Sequence, residues 1–329
     1  MKKTTTILCL GIALCMLGCS DDDDQVTTTS TVPFSLTASL SPRSSDAEDT
    51  GILQGNWDAN SQLAVIKTGS SGVPKSILTR KTDSSDTFTG NLSTLVKNEN
   101  EIAVFYPAAA ITANSSDTLT QTLNLSGQDG TLAGITNYDY LWAQCKAGMN
   151  ETTGSSACEM TSLVTIGKFQ FTVNGGSPLN NITRITITAT AGTLYSSAVM
   201  KLKNGEFSST QTGNITIKNK AGISGTTYIS FFPSEAQLHF TLVTTTGEVY
   251  EAATSTTIKL EKGKVYEAPA LTCTLLSSAK VGDYYYSDAT FSSEKNENKP
   301  ASVLSMPWMM RTAISRPPCP LLHSDASWH

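Results

Sequence analysis

From Thr31 to Leu40 the chain alternates without a break: Val32, Phe34, Leu36, Ala38 and Leu40 fall on one side of an extended backbone, Thr31, Pro33, Ser35, Thr37 and Ser39 on the other. A period of two fits a strand with one buried face and does not fit a helix, whose apolar stripe returns every three or four residues. Such a strand needs a sheet to pair with and a core to cover. Pro33 has no N–H for a ladder, so the strand is expected at a sheet edge near the chain terminus.

The rest of the chain is written in the same style. Short runs rich in Thr, Ser, Val and Ile recur at Gln62 to Thr68, Glu101 to Tyr106, Thr118 to Leu125 and Asp139 to Cys145. A second series runs through Thr161 to Val173, Ile182 to Thr190, Gly213 to Lys218, Thr226 to Phe232, Gln237 to Thr244, Glu248 to Ala253 and Lys264 to Thr274. Asn174-Gly175-Gly176 and Asn204-Gly205 separate runs with residues that tolerate positive φ. No long stretch combines helical spacing with a cap at its start and a glycine after its end. The expected fold class is all-β: two tandem antiparallel β-sandwich domains, 31–160 and 161–275, with a seam near residue 160 and a short extra C-terminal segment, 276–329.

The N-terminus sets the compartment. Lys2 and Lys3 precede an apolar run from Ile7 to Leu17 that closes on Gly18 and Cys19. That run is too short for a permanent span of roughly 20 apolar residues and reads as a secretory signal, 1–18, cut between Gly18 and Cys19. Met16-Leu17-Gly18-Cys19 resembles a bacterial lipobox, in which the cysteine takes diacylglyceryl and fatty-acyl chains such as palmitate. Cys19 is therefore the expected lipid anchor, at the head of an acidic linker, 19–30. Ser20 and the run Asp21 to Asp24 resemble the export signal that sends lipoproteins of some Gram-negative anaerobes to the outer face of the outer membrane.

Composition excludes several functions. The net charge of −5 comes without a basic stripe, so no phosphate backbone is expected as a partner. Of seven cysteines, Cys145, Cys158, Cys273 and Cys319 lie beyond the signal; Cys145 and Cys158 flank a polar stretch and are expected to staple it by a disulfide in an oxidising exterior. His239 is the one histidine before the C-terminal tail, which leaves no Cys/His set for zinc. Neither a nucleophile elbow nor a phosphate loop is present, so the chain is not expected to be an enzyme, and no cofactor is implied. A non-polymerising carbohydrate-binding lipoprotein is the rival reading, with Trp57, Tyr138, Tyr140 and Trp142 as candidate stacking rings.

Four features together resemble the fimbrillin-like surface lipoproteins of Gram-negative anaerobes. These are the lipobox with its acidic follower, Ala103-Val104-Phe105-Tyr106-Pro107, the stretch Gln121 to Leu125 leading to Tyr138-Asp139-Tyr140-Leu141-Trp142-Ala143, and Gly225 to Pro233 with its Phe-Phe-Pro ending. Phe169-Gln170-Phe171 departs from the family, which often has His there. The resemblance implies transthyretin-like sandwiches, a place in a fimbrium, a role in cell adhesion, and assembly with other fimbrial subunits by donor-strand exchange. In that process a protease cuts after an Arg or Lys beyond the first strand, and a neighbour's segment fills the groove. Arg43, next after the Thr31 to Leu40 strand, is the expected processing site, in a segment read as an exposed polar loop.

The tail fits neither strand nor linker. Val281 to Phe291 resembles the start of an extra module of related surface lipoproteins, but the chain then turns to Met306-Pro307-Trp308-Met309-Met310 and to Pro317, Pro318 and Pro320. Read one base earlier, the nearly forced codons of Met306 to Met310 give an Ala, an apolar residue and two Asp. The segment is therefore expected to be truncated or out of frame, and resequencing across the Lys299 codon tests this. With these prolines the tail is poorly equipped to donate a strand, which favours a tip or accessory place over a stalk subunit.

Overall fold

The structure is a computed structural model that describes residues 30–43, 49–69, 73–84, 86–112, 120–277, 284–286, 291–292 and 301–303. The signal segment with Gly18 and Cys19, the acidic run, Cys319 and Met306 to Met310 lie outside the described residues.

The chain is all-β. Its first half contributes β1 (Thr31–Leu40), β2 (Gln62–Lys67), β3 (Ser76–Arg80), β4 (Thr87–Ser93), β5 (Glu101–Tyr106), β6 (Thr120–Asn124), β7 (Leu141–Lys146), β8 (Gly148–Met149) and β9 (Gly154–Ser162). All but β6 form one sheet in the order β1-β4-β3-β2-β5-β7-β9-β8, and a further β1–β9 pairing closes it on itself. β1 runs antiparallel to β4, from Thr31↔Ser93 to Thr37↔Thr87, and parallel to β9, from Phe34↔Gly154 to Leu40↔Met160. The expected edge strand is thus flanked on both sides. Pro33 is tolerated because the β9 pairing begins only at Phe34, so the proline has a single strand neighbour. Gly154 allows the close approach there: a Cβ on it would stand 2.7 Å from the Phe34 ring.

The second half contributes β10 (Thr165–Phe169), β11 (Phe171–Val173), β12 (Ser177–Pro178), β13 (Ile182–Gly192), β14 (Tyr195–Lys201), β15 (Phe207–Thr212), β16 (Ile215–Ile223), β17 (Thr227–Phe231) and β18 (Ser234–Thr244). It ends with β19 (Val249–Ala253), β20 (Ile258–Leu260), β21 (Val265–Glu267), β22 (Leu271–Thr272) and β23 (Thr274–Ser277). The main sheet is β16-β13-β18-β19-β23, accompanied by the smaller sheets β17-β10-β21 and β12-β11-β22. Tyr284–Tyr286, Phe291–Ser292 and Ala301–Val303 pair antiparallel as a separate small sheet.

Two apolar cores explain the unbroken apolar spelling of β2 and β5. Leu63, Val65, Ile102 and Val104 point into the closed sheet with Phe34, Leu36 and Ala38. Ala64, Ile66, Ala103 and Phe105 point outward into a second core shared with Phe169, Ile185, Phe231 and Phe240. A strand covered on both faces has no polar side to alternate with.

The same second core takes in β6, which pairs with β14 from Ser197↔Asn124 to Lys201↔Thr120 and so does not join the first sheet as expected. Gln128, buried beyond β6, accepts from the Ser230 N–H at 2.7 Å and donates to the Ser230 carbonyl at 3.1 Å. The seam near residue 160 is accordingly crossed by first-half chain, because the apolar residues of 120–135 have their covering surface in the second half.

Candidate functional site

The site is the groove that β1 occupies and the short segment that follows it. Val32, Phe34, Leu36 and Ala38 are buried, Leu36 and Ala38 completely, while Thr31, Pro33, Thr37 and Ser39 are exposed. The Trp57 indole N–H donates to the Ala38 carbonyl at 2.6 Å, and its ring lies edge-on to Phe88 at 5.0 Å and Tyr106 at 5.2 Å. Burial first, and then the Asp58 charge, push the Tyr106 hydroxyl up to about 12, so it stays neutral in this wall. Replacing Trp57 by Phe keeps the ring but orphans a buried carbonyl of β1. Urea unfolding is expected to show a loss of about 1–2 kcal/mol.

Arg43 is not the exposed loop residue expected. Its guanidinium donates to Asp139 Oδ1 and Ser162 Oγ, both at 3.0 Å, and pairs with Asp139 Oδ2 through the second nitrogen. Its side chain is 8% exposed and that of Asp139 1%. The Ser162 hydroxyl also donates to Asp139 Oδ1 at 3.2 Å, and the Arg43 backbone N–H donates to the Leu53 carbonyl at 3.0 Å. Asp139 lies just before β7 and Ser162 ends β9, so one ion pair latches the exit of β1 to two strands of the closed sheet. A protease needs the arginine turned outward, and here it is turned in.

A second buried charge holds the next part of the chain. Asp49 accepts from Lys168 Nζ of β10 at 3.2 Å and from the Tyr228 hydroxyl of β17 at 2.9 Å, with both ends of the ion pair buried. The latch and this anchor sit on either side of 44–48. Neither Asp139 nor Asp49 was singled out as a site residue from the sequence. The one available signal was a carboxylate set among aromatics in Tyr138-Asp139-Tyr140-Leu141-Trp142, where a charge has to find a partner or stay out of the core.

The remaining candidates are placed as follows. Cys145 in β7 and Cys158 in β9 sit on strands of the same sheet, not at a loop mouth, as free thiols in hydrogen-bonding contact with each other. Trp57 and Tyr140 are buried, the Tyr140 hydroxyl donating to the Asn124 carbonyl at 2.6 Å; burial pushes that hydroxyl up to about 12. Trp142 is half-buried and donates to the Leu202 carbonyl at 3.0 Å. Trp57, Tyr140 and Trp142 are spent on packing and backbone bonds, while Tyr138 is half-buried. His239 of β18 meets Glu251 of β19 at 3.3 Å. Among the described residues, no group of three or more His, Cys, Asp or Glu side chains is placed to hold a metal ion.

The site is thus a closed all-β sheet whose first strand is buried and held at its exit by a buried ion pair. The fimbrillin-like family model matches residues 48–299, well over half of the 329 residues. The chain belongs to the fimbrillin-like family. No curated protein matches it. Among solved structures it is similar to a protein of proposed cell-adhesion role from Bacteroides ovatus, at 16% identity and a TM-score of 0.49, over 75% of this chain and 97% of the other. A counterpart from Bacteroides uniformis shows 14% identity and a TM-score of 0.44, over 76% and 99%. A fimbrial assembly protein from Parabacteroides distasonis shows 12% identity and a TM-score of 0.34, over 74% and 98%.

Proposed function

We propose that this chain is a lipid-anchored fimbrial component, a subunit or a tip or accessory protein, which joins other fimbrial subunits by donor-strand exchange after proteolysis at Arg43 and serves cell adhesion. The observation that carries this reading is β1. It is a ten-residue strand whose apolar face fills the first core, with a neighbour on each side, and it is connected onward only through the Arg43 segment. A single cut there leaves β1 held by non-covalent contacts alone. Its departure would uncover two rows of backbone hydrogen-bonding groups and the pockets of Val32, Phe34, Leu36 and Ala38, which an incoming strand with alternate apolar residues would satisfy.

In this reading the partner is another fimbrial subunit, Cys19 holds the precursor to the outer membrane by two or more acyl chains, and the chain performs no catalysis. One chain alone would anchor it only marginally. Mass analysis of the N-terminus of surface-extracted protein tests the scheme. A mature chain beginning at Ser44, in polymers that survive heating in detergent, is the expected result. A monomer that begins at lipidated Cys19 would reject it.

A further inference from the structure

We propose that Cys145 and Cys158 are joined in the exported protein by a disulfide, and that this bond holds the β9 wall of the groove in place when β1 leaves. The bond itself follows from the placement of the two thiols; its role as a wall support rests on the strand-exchange reading above.

β9 has an uneven set of neighbours. On one side it pairs with β1 over seven residues, from Gly154 to Met160. On the other side the ladders are short: β8 meets it at Gly154 and Ser155, and β7 at Thr161 and Ser162. Between them, Ser156 of β9 meets β7 through its side chain. The Ser156 hydroxyl donates to the Lys146 carbonyl at 2.7 Å and reaches Cys145 Sγ at 3.2 Å, and Cys158 Sγ lies 3.8 Å from Met160 Sδ. Continuing the β7–β9 register past Trp142↔Thr161 sets Cys145 opposite Cys158. Facing residues of an antiparallel pair stand within the Cα separation that a disulfide spans. Cys273 is not a competitor, being buried in the second half beside the Leu271 carbonyl.

The pair is also set up to react. The hydrogen bond from Cys158, helped by Ser156, lowers the Cys145 thiol to about 7, while Cys158 is pushed up. A thiolate is thus available at neutral pH, as disulfide exchange requires. The Cys145 thiolate attacks one sulfur of an oxidised disulfide on a thiol–disulfide oxidant of the export compartment, releasing that oxidant's second sulfur as a thiolate. Cys158 loses its proton and attacks the Cys145 sulfur of the mixed disulfide, which releases the oxidant's other thiolate. The chain loses two electrons and two protons, and the oxidant becomes a dithiol.

With β1 gone, β9 keeps only its terminal ladders, and a covalent tie at its middle limits how far the wall can peel away. The test uses the full chain isolated from the cell surface, denatured and alkylated without reductant. A Cys145–Cys158 linked peptide, lighter by two hydrogens than the two separate peptides, is expected; alkylation of both residues would overturn the bond. Hydrogen exchange is then followed in protein cut after Arg43. Dithiol reduction is expected to speed exchange at 154–160 about tenfold, and the Cys145→Ser, Cys158→Ser double variant to behave like the reduced form. Exchange that ignores reduction would overturn the wall role alone. Finding only uncut chain would sink the exchange reading together with the wall role and leave the bond to the mass result.

Discussion

Asp139→Ala is expected to release Arg43 and make the chain easy to cut behind β1. The substitution leaves a guanidinium in a site that is 8% exposed, with Ser162 as its one remaining side-chain acceptor among the bonds above. Removing one partner of a buried ion pair costs about 3–5 kcal/mol, since the survivor must stay unpaired or move out to water. An arginine-specific protease acting on the transiently open form reads the population of that form. A latch weakened by about 3 kcal/mol should therefore speed cleavage by on the order of a hundredfold. Limited proteolysis with mass readout checks this, and Arg43→Gln in the same background should abolish the product. An unchanged cleavage rate in Asp139→Ala would mean that Arg43 is opened by some route other than breaking this pair.

Leu36→Ala is expected to cost about 2–5 kcal/mol in denaturant unfolding, since Leu36 is fully buried in a core that also holds Phe34, Trp57, Phe88 and Val104. Thr37→Ala, one residue along on the exposed side, should stay within about 0.5 kcal/mol. The contrast matters more after the cut, when β1 is a bound peptide. Then a loss of about 3 kcal/mol becomes a weakening on the order of a hundredfold in its retention, measurable as faster escape of 31–43 from the cut protein. Equal retention of both variants would show that β1 is held by its ladders and not by its apolar face. Leu36→Ala also controls for Asp139→Ala. Both destabilise the fold, but only the latter frees the arginine in the intact chain.

The sequence made β1 visible because its partners ask the same thing of every second residue, and burial follows that period without exception from Val32 to Ala38. Gln62 to Thr68, Glu101 to Tyr106 and Ile182 to Thr190 were legible for the related reason that apolar β-branched runs need a covered face. β4 and β9 were not, because Thr87–Ser93 and Gly154–Ser162 are spelled with Thr, Ser and Gly and leave little apolar contrast to read. Nor could local spelling reveal that β1 has a second neighbour, since the β1–β9 pairing joins residues about 120 apart and its parallel direction leaves no mark on either strand. Pro33 suggested an edge, yet it sits one residue ahead of the point where β9 arrives. Arg43 as a position came from its place after β1. Its inward orientation depends on Asp139, 96 residues away.

If the chain is cut after Arg43 as proposed, the Asp49 anchor limits what the molecule can do with the new amino terminus. A backbone of five residues, 44–48, reaches at most about 17 Å from its mooring, while a ten-residue trough is about 33 Å long. Tethered to Lys168 and Tyr228 on so short a leash, a severed end could not fill the trough that β1 left, since its reach is about half of that length. Self-repair from that side is ruled out by length alone, and an empty trough can be closed only by the strand that was lost or by one brought from elsewhere.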